Sequence, residues 1–405
     1  MADSVTVTKT ESWGSRLGGS IKGVLVGLGL FVAGFPILFG NEGRSVNTAN
    51  AIDEGEEVCI SVESNASVDP ENNDKLVHMS GKADTKDVLT DDTFGISMTA
   101  IRLERNVEMY QWVEESHTDK TKNSGGSETT QVTFTYKKDW MPTVIESGKF
   151  KVISGHENPV MMEFESQKMQ AANVTFGAFR LNESQIDSIG SAKQYAFPTG
   201  FVCKVERVKV HGSTIYVPNA ETRNNALNKR DVASQPRIGD MRVTFRVVYP
   251  HEISLIAKQH GDTFVAYTTK KGKGTKLSYL AEGVKDAAEM FQTARTNNKI
   301  VTWLVRIGGF LLMFIGLSMV FKPLSVLADV LPILGDIVEM GMGLVAGLIA
   351  FICALVTIAI AWVVHRPVLG IGLLVGAGVL VGVLIMKCKA AKAAKAASGA
   401  APASA

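Results

Sequence analysis

Four stretches of the chain stay apolar for about the thickness of a bilayer core: Ile21 to Gly40, Val301 to Phe321, Met342 to Val364 and Val368 to Met386. A helix rises about 1.5 Å per residue, so roughly 20 such residues cross about 30 Å of hydrocarbon. Lys22 opens the first stretch, Arg306 lies near one end of the second, and the other two carry no charge. Arg306 is close enough to the boundary for its guanidinium to snorkel. The first run is too long for a signal peptide and no small-x-small site closes it before Asn41, so it reads as an anchor that stays.

Between the first two stretches the period changes from continuous to alternating. From Ala100 to Glu114 the odd positions give Ile101, Leu103, Val107, Met109 and Val113 and the even ones are mainly polar. That pattern predicts a long strand with one buried face. Tyr110 and Trp112 interrupt its polar side, so part of the second face is covered as well. The same alternation in QVTFTY, RVTFRVVY and EISLIAK predicts further antiparallel strands. Ser116 to Thr130 reads as a polar hairpin tip, KKGKGTK (Lys270 to Lys276) as a charged one, and ETRNNALNKRDVASQ as an exposed loop. Helical periodicity is confined to a short piece near Glu183 to Ile189 and to GVKDAAEMFQTAR, just before the second apolar stretch.

The segment KPLSVLADVLPILGDIVEMG is too short and too acidic to cross. It is predicted as an interfacial connector, with Leu327 and Val330 toward lipid and Asp329, Asp336 and Glu339 toward water. Gly23/Gly27, Gly343/Gly347, Gly372/Gly376 and Gly378/Gly382 have the small-xxx-small spacing that lets helix backbones approach, within one chain or between copies. The predicted architecture is an α+β membrane protein with four transmembrane helices and a large, mainly antiparallel-β extramembrane domain between helices one and two. Its parts are a short N-terminus (1–20), helices at 21–40, 301–321, 342–364 and 368–386, the β-rich domain (41–300), the connector (322–341) and a Lys/Ala-rich tail (387–405).

Charge refines the layout. The chain has 42 basic and 40 acidic residues, a balance that argues against a nucleic-acid partner. Residues 41–300 hold 32 Lys/Arg and 35 Asp/Glu, leaving 10 and 5 on the flanks. Lys9, Arg16, Lys22, Lys322, Lys387, Lys389, Lys392 and Lys395 fall on the side of the termini, against Arg44, Arg295, Lys299 and Arg366 on the other. The excess predicts cytoplasmic termini and an exported or lumenal β-rich domain. The tail lysines add an attraction to anionic lipid of about 1 kcal/mol each.

Candidate chemistry is sparse. The seven histidines show no metal-ligand spacing, there is no CxxC or GxSxG, and KKGKGTK lacks the order of a phosphate loop. No catalytic residue, metal ligand or cofactor is expected. Cys59 and Cys203 share the β-rich region and are candidates for a disulfide. Asp91/Asp92 and Glu114/Glu115 read as solvated faces. Glu42 and Arg44, in GNEGRSV after the first apolar run, fit a membrane boundary, with Gly40 or Gly43 letting the chain turn.

Several segments together resemble the transmembrane protein 43 family, also called LUMA, over nearly the whole chain. They are NEGR (Asn41, Glu42, Gly43, Arg44), VEMYQWVEES with Glu108, Tyr110 and Trp112, GHENP (Gly155 to Pro159), IGDMRVTF with Gly239, Asp240 and Arg242, IAKQHGD, and Arg366–Pro367 opening the last apolar stretch. The resemblance implies a large domain between helices one and two. In animal cells it implies residence in the endoplasmic reticulum and inner nuclear membrane, self-association and association with other membrane proteins. The Lys/Ala-rich tail and Gly-rich last stretch differ from animal members and point to a distant or prokaryotic host, where the cell membrane takes that place. The expected function is non-enzymatic organisation or scaffolding of membrane-protein complexes, with membrane lipids, other copies and other membrane proteins as partners. The alternative is a lipid-binding or lipid-metabolism-associated protein, suggested by the aromatic strand around Tyr110 and Trp112.

Overall fold

The computed structural model describes residues 4–224, 230–330 and 332–366. They form two compact units. One takes the residues through Ser12, Ala51–Asn123 and Ser127–Ala294; the other takes Trp13–Asn50, Ser124–Gly126 and the described residues from Arg295 onward.

The first unit is the expected antiparallel-β region. Its main strands are β1 (Ser4–Glu11), β2 (Leu76–Thr85), β3 (Arg102–Lys122), β4 (Glu128–Met141), β5 (Thr214–Val217), β6 (Met241–Val248) and β7 (His251–His260). One sheet runs β1-β4-β3-β6-β5 and ends on Lys209–His211, all antiparallel. The alternation read in the sequence is realised here: Leu103, Val107 and Met109 of β3 and Met241, Val243, Phe245 and Val247 of β6 are buried in one core. Each such side chain contributes roughly 1.5–3 kcal/mol when fully buried. In the second sheet β2 pairs with β7 and with Val174–Phe176, and Phe179–Arg180 and Thr263–Val265 complete the path back to β7. The closed path protects its strand edges and surrounds Phe176, Phe179 and Phe264. A capping box at Asn182 and Gln185 starts the short helix Glu183–Ser188, where one was expected.

Several expectations change. The polar hairpin tip shrinks to residues 123–127, because β3 and β4 keep their register from Met109–Met141 to Lys122–Glu128, on the β3 side through Glu115–Lys122, which has no apolar alternation. The N-terminus, expected only as a short segment, contains β1, paired with β4 from Ser4–Thr135 to Glu11–Glu128. Asp91 is buried and bonded to Arg105 at 2.7 Å, and Glu114 accepts from the Tyr136 hydroxyl. These two are not solvated faces, whereas their neighbours Asp92 and Glu115 are exposed as expected. Cys59 and Cys203 are both free and belong to different cores, so the candidate disulfide is not formed. Burial pushes the Cys59 thiol up to about 11 and raises that of Cys203.

The second unit is helical: α1 (Trp13–Val58), α2 (Ala287–Ala328) and α3 (Pro332–His365) carry three of the four apolar stretches. All three are long and apolar enough to cross a membrane. The fourth stretch (368–386), Pro367 and the tail lie outside the described residues. Both Gly40 and Gly43 are helical, so the chain does not turn there. The connector is not a separate element either: α2 continues through Pro323 to Ala328 and α3 starts at Pro332. Asp329, expected in water, is fully buried and paired with Arg16 at 2.6 Å. Gly27 and Gly316 set the closest approach of α1 and α2, where a Cβ on either would sit 2.5 Å from the other's carbonyl oxygen.

Candidate functional site

In the helical unit the NEGR segment is an internal polar cluster. Residues two apart on a helix point about 200° away from each other, so Glu42 and Arg44 cannot pair. Glu42, 2% exposed, accepts instead from Arg306 Nε at 2.7 Å, Arg306 Nη2 at 2.8 Å and Trp362 Nε1 at 2.8 Å. Arg306 does not snorkel; it is held by Glu42 and stacks over Trp303 with its guanidinium carbon 5.0 Å from the ring centre. Arg44 serves another set, donating to Asn298 Oδ1, Asn41 Oδ1 and Thr302 Oγ1 at 3.0–3.1 Å. Asn41 donates to the Thr302 carbonyl. Gly43 leaves room for His365, whose ring atoms lie 2.9 Å from where a Cβ would stand, and Arg366 stacks on Trp362.

Both Glu42 oxygens accept from cationic or indole donors, in three hydrogen bonds. That arrangement suits a tether between helices. The partners Arg306, Trp362, Asn298 and Thr302 were not singled out as site residues. A charge inside an apolar run, which demands a partner, was the usable signal.

In the β-rich unit three of the motif segments meet. Tyr110 N donates to the Asp240 carbonyl and Gly239 N to the Tyr110 carbonyl. Asp240, fully buried, receives Arg230 through both oxygens at 2.6 and 2.8 Å and the backbone N–H groups of Asn219 and Arg237. Arg242 faces Glu108 across the β3–β6 ladder, bonds it at 2.5 Å and lies over the Trp140 ring. Asn158 of GHENP exchanges hydrogen bonds with the backbone of Trp112 at 2.7 and 2.9 Å, and His156 stacks on Tyr136 beside Trp112. Gly155 and Gly239 have φ of +84° and +87°, a backbone state that favours glycine.

A cleft of about 620 Å³ opens where these segments converge. Met109, Met162, Met241, Ile238 and Pro159 form its apolar bed, with Glu163 and Glu221 among its polar residues. Met109 and Met241 are buried, while Val160 and Met161 are 92% and 71% exposed at its edge. Methionine thioethers are polarizable and adapt to varied apolar shapes. The signal for the cleft was legible in PVMME beside GHENP, although the methionines were not singled out. Among the described residues no group of three or more His, Cys, Asp or Glu side chains could hold a metal ion. The Lys270–Lys276 turn, read as a charged hairpin tip, directs the Lys270 and Lys271 N–H groups to the carboxylate of Glu54.

A family model described as "Transmembrane protein 43" matches residues 109–367. Transmembrane protein 43 of Homo sapiens and of Rattus norvegicus are each 31% identical to the chain over 384 residues, 92% of either chain. The transmembrane protein 43 homolog of Drosophila melanogaster is 31% identical over 358 residues, 86% of this chain and 90% of its own. No solved structure matches. With the family model covering more than half of its length and relatives aligned almost end to end, the chain belongs to the transmembrane protein 43 family.

Proposed function

We propose that the protein is a non-enzymatic membrane scaffold that gathers other membrane proteins through the methionine-lined cleft of its β-rich unit. The observation that carries this reading is the convergence of the VEMY, GHENP and IGDM segments on one 620 Å³ cleft with an exposed apolar lip at Val160 and Met161. Exposed apolar surface of this kind is costly in water unless a partner covers it. Glu163 and Glu221 favour a partner segment that places a basic residue beside an apolar anchor. The charge-paired cluster at Asp240 then serves as framework, holding the loops around it so that the cleft keeps its shape.

The test is proximity labelling from the full-length protein in its native membrane, wild type against Met161→Asp. The variant adds a desolvation cost at the lip without touching the buried cores, so it should lose most of the reproducible neighbours of the wild type while its abundance is unchanged. An identical neighbour set for both proteins, or a wild type with no reproducible neighbours, would remove the proposal.

A further inference from the structure

We propose that the helical unit binds a phosphatidylethanolamine molecule between α2 and α3, with an acyl chain in an apolar cavity and the zwitterionic headgroup on the Lys322–Glu339 ion pair. The cavity measures about 480 Å³, within the size range of small-molecule sites. Phe314, Ile315, Met319 and Phe321 of α2 and Met342 of α3 supply its apolar wall. Ile315 is 50% exposed, so the cavity can be entered from the surrounding lipid. The site lies within the helical unit and does not depend on the reading of the methionine-lined cleft.

Two features mark the cavity as a site for an amphiphile. Gly343 lines it, and a Cβ built there would meet no atom within 4 Å among the described residues. The Gly343/Gly347 spacing therefore does not bring two backbones together: at Gly347 a Cβ would stand in ordinary contact with the Phe314 ring at 3.5 Å. A glycine inside a helix is destabilising relative to alanine, and at position 343 the missing side chain leaves open volume. Ser318 and Ser325 line the same cavity, and both hydroxyls are buried without a hydrogen-bond partner among the described residues. Ser325 is 2% exposed. A hydroxyl inside a helix can bond the carbonyl one turn back, as Thr357 does with Cys353 at 2.7 Å, and one left without an acceptor is unfavourable. An ester or phosphate oxygen in the cavity supplies the missing acceptor.

The rim selects the headgroup. Phe314, Ser318, Lys322 and Ser325 recur at helical spacing on one face of α2, and Lys322 follows directly on the second apolar stretch. At 1.5 Å per residue Ser318 lies about 6 Å deeper than Lys322, the level of the ester carbonyls of a lipid whose phosphate meets Lys322. Lys322 bonds Glu339 of α3 at 2.5 Å, and both side chains are 43% exposed, so each stays within reach of a bound charge. A rim with one cation and one anion has no net charge, and an anionic headgroup drawn to Lys322 meets Glu339 as a like charge. Phosphoethanolamine satisfies both: its phosphate accepts from Lys322, and its ammonium donates to Glu339 through N–H groups that a choline headgroup lacks.

The test places the full-length protein in nanodiscs made from equal parts of phosphatidylethanolamine, phosphatidylcholine and phosphatidylglycerol with identical acyl chains, releases it into mild detergent and identifies retained lipid by native mass spectrometry. The wild type should retain phosphatidylethanolamine several-fold above either other lipid. Gly343→Leu fills the cavity and should lower that retention several-fold, whereas Glu339→Gln leaves the cavity open and should lose the preference for ethanolamine. Lipids retained in the proportions supplied, a preference for phosphatidylglycerol or phosphatidylcholine, or no retained lipid overturns the inference. So does a Gly343→Leu protein that retains as much as the wild type, or an unchanged preference in Glu339→Gln. Should Gly343→Leu fail to fold, the Ser318→Ala/Ser325→Ala double variant removes both buried donors and should show the same loss, and undiminished retention there overturns the inference equally.

Discussion

Two of the buried arginine–carboxylate pairs, one in each unit, are built differently. Asp240 in the β-rich unit takes both nitrogens of Arg230, ten residues away, and two backbone N–H groups from nearby loops. Glu42 in the helical unit takes Arg306 and Trp362, which are 264 and 320 residues distant in sequence. The first pair fixes a loop, and water is close at hand if it opens. The second joins three helices among apolar side chains, where an unpaired charge has nowhere to be solvated. Pairs of the same charge type therefore carry unequal consequence.

That contrast can be broken most sharply at Glu42. Glu42→Ala strands the Arg306 guanidinium and should cost on the order of 3–5 kcal/mol in the helical unit. Thermal unfolding of the purified full-length protein in mild detergent should show it, with recovery in the Glu42→Leu/Arg306→Met double variant. A single Glu42→Ala protein as stable as wild type would mean that the helices hold without the tether. Asp240→Asn should cost less, roughly 1.5–3 kcal/mol for a weakened set of charge-assisted bonds, and confine its effect to the β-rich unit. Limited proteolysis between Asn219 and Arg237 reads this directly: faster cleavage there, with the helical unit unchanged, is expected, and uniform destabilisation would contradict the local assignment.

The smallest effect is pH-dependent. Burial alone would raise the carboxyl of Glu282, but the Ser191 hydroxyl, the Gly190 N–H and His251 outweigh it and hold the group below its ordinary 4.5. A depressed carboxyl stabilises the fold above its unfolded value, and that contribution is lost as pH falls through the folded value. Acid should therefore lower the melting temperature of the β-rich unit below about pH 4.5, and Glu282→Gln should flatten part of that slope. A variant with an unchanged slope would assign the acid sensitivity to other carboxylates.

Much of the β-rich unit was legible because a half-buried strand announces itself at every second residue. Leu103, Val107 and Met109 on β3 and Val243, Phe245 and Val247 on β6 are where alternation put them. The polar half of β3 was not, since Glu115–Lys122 has no buried residue and its strand is dictated by its partner across the ladder. The same limit applied to Asp91, whose burial depends on Arg105, and to Asp329, whose partner Arg16 lies 313 residues earlier. For the candidate site, the motif segments could be listed in order along the chain, but their meeting at one cleft could not.

The sequence by itself determined the apolar helices, the alternating strands and the family, because hydrophobic periodicity and local motifs are written in consecutive residues. Tertiary structure alone decided which charges meet, that Cys59 and Cys203 stay apart, and that β1 joins a sheet beyond the first apolar helix. Those outcomes depend on pairings between side chains and strands that consecutive residues do not encode, some ten positions apart and others more than three hundred, and the free energy of a buried charge or a strand edge is set by the partner it finds.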